Sequence, residues 1–445
     1  MFPPFPEKEA LECCEKMIEE IRCGMLEIKH EGQISRERQN PPVMLGALTC
    51  IDGQGSKIIV RTVSGNSRYL EPKENHAGIF YAPSIVSSKE IQDALYENDG
   101  KIHALTAKID ALPKSDVEEI KRLSKERTEL TTKSLIKFHA LYSFHTFTGK
   151  KITLREMCDE KKIALPPTGT GECCGPKLLD FAAKNSLVPL SMAEIIYDPE
   201  NDGMQKHEAV PPCDSRCAIV LPGMLGLEIL YRDDSIVVVN KQSGLLSIPG
   251  KTVKDCVTER LKKLFPGCIE QPSVHRLDME TSGLLVLALT KEAHRNLSMQ
   301  FQDGSVEKEY EALLDGILPK AGIPKEGQME LYFRVDLDNR PHQMWDETYG
   351  KKAVTQWEIL DVESYTAPDK SRRFATRVKF IPHTGRTHQL RLAAADPHGF
   401  SVPIIGDTLY GKCEKGERLL LHSSKLTFEH PVTKEKMNFI SKPPF

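Results

Sequence analysis

Beyond Pro222 the chain changes texture, and that change constrains its fold more than any other feature. Short apolar runs, among them SIVVVN, GLLVLAL, EALLDG, TRVKFI and SVPII, are separated by Gly, Pro and Asp turns. Parallel strands need a crossover of a dozen or more residues, usually a helix. Few helical patterns of that length stand between these runs. A mostly antiparallel central sheet in an α+β domain over residues 223–445 is therefore predicted, ahead of a doubly wound parallel one.

The first half reads differently. Leu11, Met17, Ile18, Ile21, Met25 and Leu26 recur at helical spacing, which predicts a helix from Met1 to about Arg38. VMLGALTCIDGQGSKIIVRTVSG has the pattern of a β-hairpin. From Lys89 to Phe147 a charged run carries Val117, Ile120, Leu123, Leu130 and Leu135, which predicts a helical hairpin or short coiled coil turning at Pro113 to Ser115. Residues 1–148 thus form an amino-terminal extension, and the Cys-, Gly- and Pro-rich stretch 149–222 a small module or linker. The longest apolar strings, SIVVV and GLLVLAL, are far too short to span a membrane. MFPPFPEKEA lacks the basic start and apolar core of a signal peptide, so a cytoplasmic location is expected, with the 12 cysteines mostly reduced.

The sharpest cluster is SVHRLDMETSG, Ser273 to Gly283, running straight into the apolar strand LLVLAL. Asp278 sits there in a polar loop beside a buried strand, where a rigid scaffold can present a reactive group. On this fragment alone an aspartate in such a loop is equally a turn former or cap. The rest of the segment decides between them. VHRLDMETSGLLV resembles the signature of the RluA family of RNA pseudouridine synthases. The resemblance extends over Leu225 to Phe445 in the family's order, through VVVNKQSGLLSIPG, VEKEYEALLDG, NRPHQMWDETYGKKAVTQWEIL, PHTGRTHQLRL, VPIIGDTLYG and RLLLHSSKLTFEHP. It departs at Gln242, where the family usually has proline, and at Ala393, where it usually has histidine.

The resemblance implies a pseudouridine synthase fold with a catalytic cleft, an RNA substrate (ribosomal or transfer), and a redox-neutral isomerisation that needs no cofactor or metal. It implies roles as well: Asp278 as nucleophile, Arg386 as the cation beside it, Tyr310 against the uracil face, and Arg276 in the stack vacated by a flipped-out base. A monomer is expected. A protein that keeps the fold and binds RNA without turnover is the competing reading. An isolated carboxylate in a groove for an anionic ligand would serve such a binder poorly.

One observation points to RNA without the resemblance. Between Ser371 and Arg391 stand Arg372, Arg373, Arg377, Lys379, Arg386 and Arg391, with no acidic residue among them. With His275 and His388 they are the expected RNA contacts, able to track a phosphate backbone; a solvated strand face would look equally basic. The whole chain hides this run, since 60 Lys and Arg stand against 63 Asp and Glu. Counted along the chain, residues 1–224 hold 29 basic against 33 acidic residues and the remainder 31 against 30. Nothing resembling the small S4 RNA-binding domain of many relatives precedes the second half.

Three further motifs carry less. GDTLYGKC, Gly406 to Cys413, has phosphate-loop spacing but ends in cysteine where Ser or Thr would hold magnesium, so no nucleotide cofactor is expected. GTGECCG near Gly169 is one residue too long for a dinucleotide fingerprint. Cys173, Cys174, Cys213 and Cys217 offer four thiols, but adjacent cysteines present two tetrahedral ligands poorly. Buried or incidental thiols are the expectation there, with zinc the alternative.

Overall fold

A computed structural model describes residues 5–31, 41–161, 163–200, 207–211, 213 and 216–445. The chain divides into two compact units, 1–226 with 263–266, and 227–262 with 267–445. Among the described residues no helix is long and apolar enough to cross a membrane.

The first unit runs through α1 (Lys8–Arg22), β1 (Leu26–His30), β2 (Val43–Ile51), β3 (Lys57–Val63), β4 (Arg68–Pro72), β5 (Ile79–Tyr81), α2 (Ser88–Ala111), α3 (Val117–Leu141), β6 (Ser143–His145), β7 (Lys151–Thr153), α4 (Leu154–Lys161), α5 (Cys174–Lys184), β8 (Val188–Tyr197) and α6 (Cys217–Leu225). The first helix is shorter than its periodicity predicts. It stops at Arg22, Gly24 takes a left-handed φ of 70°, and Leu26 begins a strand instead. Residues 32–38 of the predicted helix lie outside the described residues.

The VMLGALTC hairpin forms as β2 and β3, and the charged run forms the antiparallel helices α2 and α3. A reciprocal Ser87–Glu90 capping box starts α2. The stretch 149–222 is not a separate module. Its strand β8 pairs along β2, so the four-stranded order is β5-β3-β2-β8. Composition concealed VPLSMAEIIY as a strand because its neighbours are rich in proline and glycine. Alternation along β2 serves two faces: Leu45 and Ala47 pack with Cys14, Met17 and Ile18 of α1, while Gly46 admits α5, leaving only 2.5 Å between an added Cβ and that of Cys174.

The second unit holds β9 (Glu228–Arg232), β10 (Ile236–Lys241), most of α7 (Val257–Leu264), β11 (Ser282–Ala288), α8 (Lys291–Asp303), β12 (Glu307–Leu314), β13 (Glu326–Val335), β14 (Gln343–Trp345), β15 (Lys351–Thr366), β16 (Arg372–Pro382), α9 (Gln389–Ala395), β17 (Leu421–Glu429) and β18 (Lys436–Ile440). Ten strands form one sheet, in the order β14-β13-β15-β16-β12-β17-β11-β10-β9, with β18 alongside β17. Every pairing is antiparallel except β11 with β17. The α+β class expected from the closely spaced strands holds.

That one parallel contact depends on Gly283, whose φ is +113°. A Cβ there would sit 2.5 Å from the Ser423 nitrogen and 2.8 Å from its Cα. Glycine is the residue that permits both the backbone conformation and the close approach. Two apolar clusters hold the sheet: Ala312, Val378, Phe380, Ile404 and Leu421 in one, and Val238, Leu284, Val286, Leu297 and Phe428 in the other.

Candidate functional site

A cleft of about 790 Å³ opens in the second unit, lined among others by Arg276, Asp278, Lys308, Tyr310, Arg386 and His388. Asp278 occupies the loop that leads into β11, and that loop is clamped on both sides of the carboxylate. The Ser247 hydroxyl donates to the Leu277 carbonyl (2.7 Å) and accepts from the Leu277 N–H (3.0 Å). The buried Lys241 ammonium donates to the carbonyls of Met279 (3.0 Å), Leu245 (2.7 Å) and Gln242 (3.0 Å). Ser243 donates to the Glu280 carbonyl at 2.6 Å, and the Gly244 N–H to that of Met279 at 2.8 Å. The segment VVVNKQSGLLS thus fixes the backbone on which Asp278 is carried. Burial pulls the Lys241 ammonium down to about 7, opposed by the charge of Asp278.

Tyr310 lies on β12, where the register of β12 against β17 shifts between Glu309 and Tyr310. It lines the cleft, and burial raises its phenol to about 12, with the Asp278 charge acting in the same direction and a bond to Ser423 against it. Arg386 also lines the cleft. Its Nε donates to the Lys352 carbonyl at 3.0 Å and its N–H to Gln389 Oε1 at 3.0 Å. Gln389 ties the Thr384–Gln389 turn to β15 by donating to the Val354 carbonyl (3.0 Å) and the Thr355 hydroxyl (2.9 Å).

The expected Arg386–Asp278 ion pair is not formed. The imidazole of His388 faces the carboxylate instead, its Nε2 lying 4.0 Å from Asp278 Oδ1. His388 adopts a left-handed φ of 56° at the start of α9, and its Nδ1 is 2.7 Å from the Tyr410 hydroxyl. That hydroxyl already accepts the Gln343 N–H at 2.8 Å. Its own proton is therefore best placed on His388 Nδ1, which leaves the Nε2 proton directed at Asp278. Burial lowers the His388 pKa, opposed by the Asp278 charge.

Arg276 is exposed on the cleft wall, and no ion pair engages it among the described residues. Its neighbour His275 also borders the cleft but is engaged within the unit. His275 stacks on Phe301, with ring centroids 4.3 Å apart, and its Nε2 accepts the Val286 N–H at 3.1 Å. Burial, reinforced by Lys308, holds its pKa down to about 3, so the ring stays neutral.

Three of the other residues read as RNA contacts carry acidic partners within the unit. Arg373 bonds to Glu417 (2.6 Å) and Asp315 (3.2 Å), Arg377 to Glu363 (2.8 Å) and Glu311 (3.5 Å), and Lys379 to Glu358 (2.5 Å). Strands β12 and β15 supply the acids for Arg377 and Lys379, and loop residues those for Arg373; none of these three cations lines the cleft. Arg372, at the exposed start of β16, also lies outside it.

Arg391 borders the cleft but is 2% exposed and committed elsewhere. Its guanidinium donates to both oxygens of the fully buried Asp407 (2.9 and 2.5 Å) and to Glu280 at 3.1 Å, with the Tyr410 ring 5.5 Å away. Asp407 also accepts the N–H groups of Leu409 (2.9 Å) and Tyr410 (3.0 Å). GDTLYG is therefore an anchoring turn that joins Arg391 and His388 to the Asp278 loop. Lys241, Ser247, Asp407 and Tyr410 went unrecognised as site residues because their partners are distant in sequence. The motifs that contain them were the available signal.

Residues 235–396 match the family model described as RNA pseudouridylate synthase. Over 224 residues the chain is 41% identical to the dual-specificity RNA pseudouridine synthase RluA of Haemophilus influenzae, covering 49% of this chain and 94% of that protein. Over 218 residues it is 41% identical to the Escherichia coli protein of the same name, covering 48% and 91%. Among solved structures, human RNA pseudouridylate synthase domain containing 1 aligns at 28% identity with a TM-score of 0.40, over 49% of this chain and 84% of that one. On its identity to the RluA proteins over nearly their whole length, the chain belongs to the RluA family of RNA pseudouridine synthases, isomerases that act on RNA.

Proposed function

We propose that this protein isomerises particular uridines of ribosomal or transfer RNA, with Asp278 as the nucleophile. The observation that carries the reading is the loop itself: the Asp278 carboxylate is carried on backbone held by side-chain and backbone clamps at Leu277, Met279 and Glu280, and opens on the cleft that Tyr310 and Arg386 line. In the reaction the C1′–N1 bond breaks, the uracil turns, and a C1′–C5 bond forms. C5 loses a proton and N1 gains one, so no redox partner is needed. Asp278 attacks at C1′ or at C6 of the ring, and either route needs an oriented, ionised carboxylate. The His388 Nε2–H stabilises that anion, while Arg386, with its Nη groups free of ion pairs among the described residues, meets the anionic substrate. Tyr310 packs on the base.

A uridine inside a stack reaches this cleft only by leaving the stack, at a cost of a few kcal/mol. Arg276, planar and unpaired on the cleft wall, fills the space left behind. RNA tritiated at uridine C5 tests the reading, since isomerisation releases the label to water. Asp278→Asn should abolish release from cellular ribosomal and transfer RNA fractions; release at the wild-type rate would assign the chemistry to another group. Arg276→Ala should slow release from duplex targets more than from an unstructured oligonucleotide, and equal slowing would remove it from that role.

A further inference from the structure

The first unit contains a thiol cluster that the RNA chemistry does not use. The Sγ atoms of Cys173, Cys213 and Cys217 all lie within 4.8 Å of one another, and all three are free thiols. Two helices and one loop bring them together. Cys173 is the N-cap of α5 and makes no capping hydrogen bond with its side chain. Cys217 is the first residue of α6, and Cys213 lies one turn before it, its carbonyl accepting the Ala218 N–H at 3.2 Å.

Cys174 is directed elsewhere. Its Sγ donates to the Met44 carbonyl at 3.2 Å and packs against Gly46 of β2. The adjacent pair therefore supplies one thiol to the cluster and one to the sheet, and the difficulty of drawing two tetrahedral ligands from neighbouring cysteines does not arise. Cys173 caps the amino-terminal end of α5, where the positive end of the helix dipole favours a thiolate.

We propose that Cys173, Cys213 and Cys217 form a three-thiolate site for a thiophilic divalent cation, zinc by its preference for sulfur, with a fourth position open to solvent. Tetrahedral zinc with Zn–S bonds of about 2.3 Å spaces its sulfurs about 3.8 Å apart. The cluster is at most about 1 Å wider than that, a difference that side-chain rotation removes. Cys217 is buried, Cys173 half-buried and Cys213 exposed, so the open position lies on the Cys213 side and is filled by water or an external ligand. The ion would tie the start of α5 to the start of α6 and to Cys213 just before it, an added cross-link within the unit.

The full-length protein, purified under reducing conditions, is tested for metal by elemental mass spectrometry after exposure to zinc and removal of the excess. About one zinc per chain is expected, falling to near zero in Cys213→Ser and in Cys217→Ser and unchanged in Cys23→Ser and Cys413→Ser. Cobalt added to the metal-free protein should give the strong visible absorption of a tetrahedral cobalt–thiolate centre, and zinc should displace it. Because Cys213 is exposed, its serine variant tests ligation with the fold intact, which circular dichroism verifies. Wild-type protein that retains no metal, zinc content that survives the Cys213→Ser/Cys217→Ser double substitution, or a metal-free chain two hydrogens lighter through a disulfide would each overturn the proposal.

Discussion

Arg391 separates two accounts of the basic run most sharply, because phosphate contact and internal support predict opposite results for one substitution. Its guanidinium is 2% exposed and bonds to both oxygens of Asp407, itself 0% exposed, and to Glu280. Arg391→Met keeps an unbranched apolar stem and removes the guanidinium fork. Asp407 would then remain buried with only the Leu409 and Tyr410 N–H groups, and Glu280 would keep only the Thr408 hydroxyl. Breaking a buried pair from one side costs about 3–5 kcal/mol. For a folded unit of 150–250 residues each kcal/mol lowers Tm by about 2–4 °C, so a fall of about 6–20 °C is expected. Calorimetry on the full chain gives the midpoint, and titration of a stem-loop RNA at several salt concentrations gives the slope of log Kd against log salt. Internal support predicts the lower midpoint with an unchanged slope. A wild-type midpoint with a slope reduced by about 0.7–0.9, the signature of one lost phosphate contact, would refute the reasoning.

The remaining predictions use the same assays. Arg377→Gln combined with Lys379→Gln should leave the salt slope of RNA binding unchanged and shift stability by no more than about 1 kcal/mol per pair, because Glu363, Glu311 and Glu358 already neutralise these cations. Gly283→Ala should cost about 3 kcal/mol or more, seen as a lower denaturant midpoint, since φ is +113° and the obstacle is the Ser423 backbone. Tyr410→Phe leaves His388 Nδ1 and the Gln343 N–H without their partner. That costs about 1–3 kcal/mol; placed on the transition state it should slow tritium release about 5- to 150-fold with RNA affinity little changed. Lys241 binds fewer protons folded, with its pKa near about 7, than unfolded, near about 10.4. Stability should therefore rise with pH between those values, by at most about 1.4 kcal/mol per unit. Lys241→Met should lack that component when Tm is followed from neutral to alkaline pH.

What could be read in advance was whatever is local along the chain. The strands showed because EALLDG and TRVKFI carry their own apolar content and turn signals. The position of Asp278 showed because the residues flanking it are contiguous. The end of α1 and the existence of β8 did not, since Gly24 and the proline-rich surroundings of VPLSMAEIIY admit several conformations until the four-stranded sheet selects one. The acidic partners of the β16 cations are hidden for the same reason. Lys379 meets Glu358 and Arg377 meets Glu363 across a single antiparallel pairing, a register set by the sheet rather than by either strand's own sequence.

The site follows the same division. Asp278 is contiguous with its motif, whereas everything that orients it comes from far along the chain: Lys241 and Ser247 beneath the loop, His388 opposite the carboxylate, and Arg391 with Asp407 behind Glu280. Most positive charge in the run 372–391 is consumed in building the unit. Among the described residues, Arg276 and Arg386 line the cleft together with Lys308, and the two arginines come from opposite ends of the motif order. Two unpaired guanidiniums flanking one clamped carboxylate suit the proposed reaction, in which the site holds a polyanion while Asp278 attacks one of its nucleosides, because phosphate attraction and nucleophile orientation then rest on different groups and neither neutralises the other.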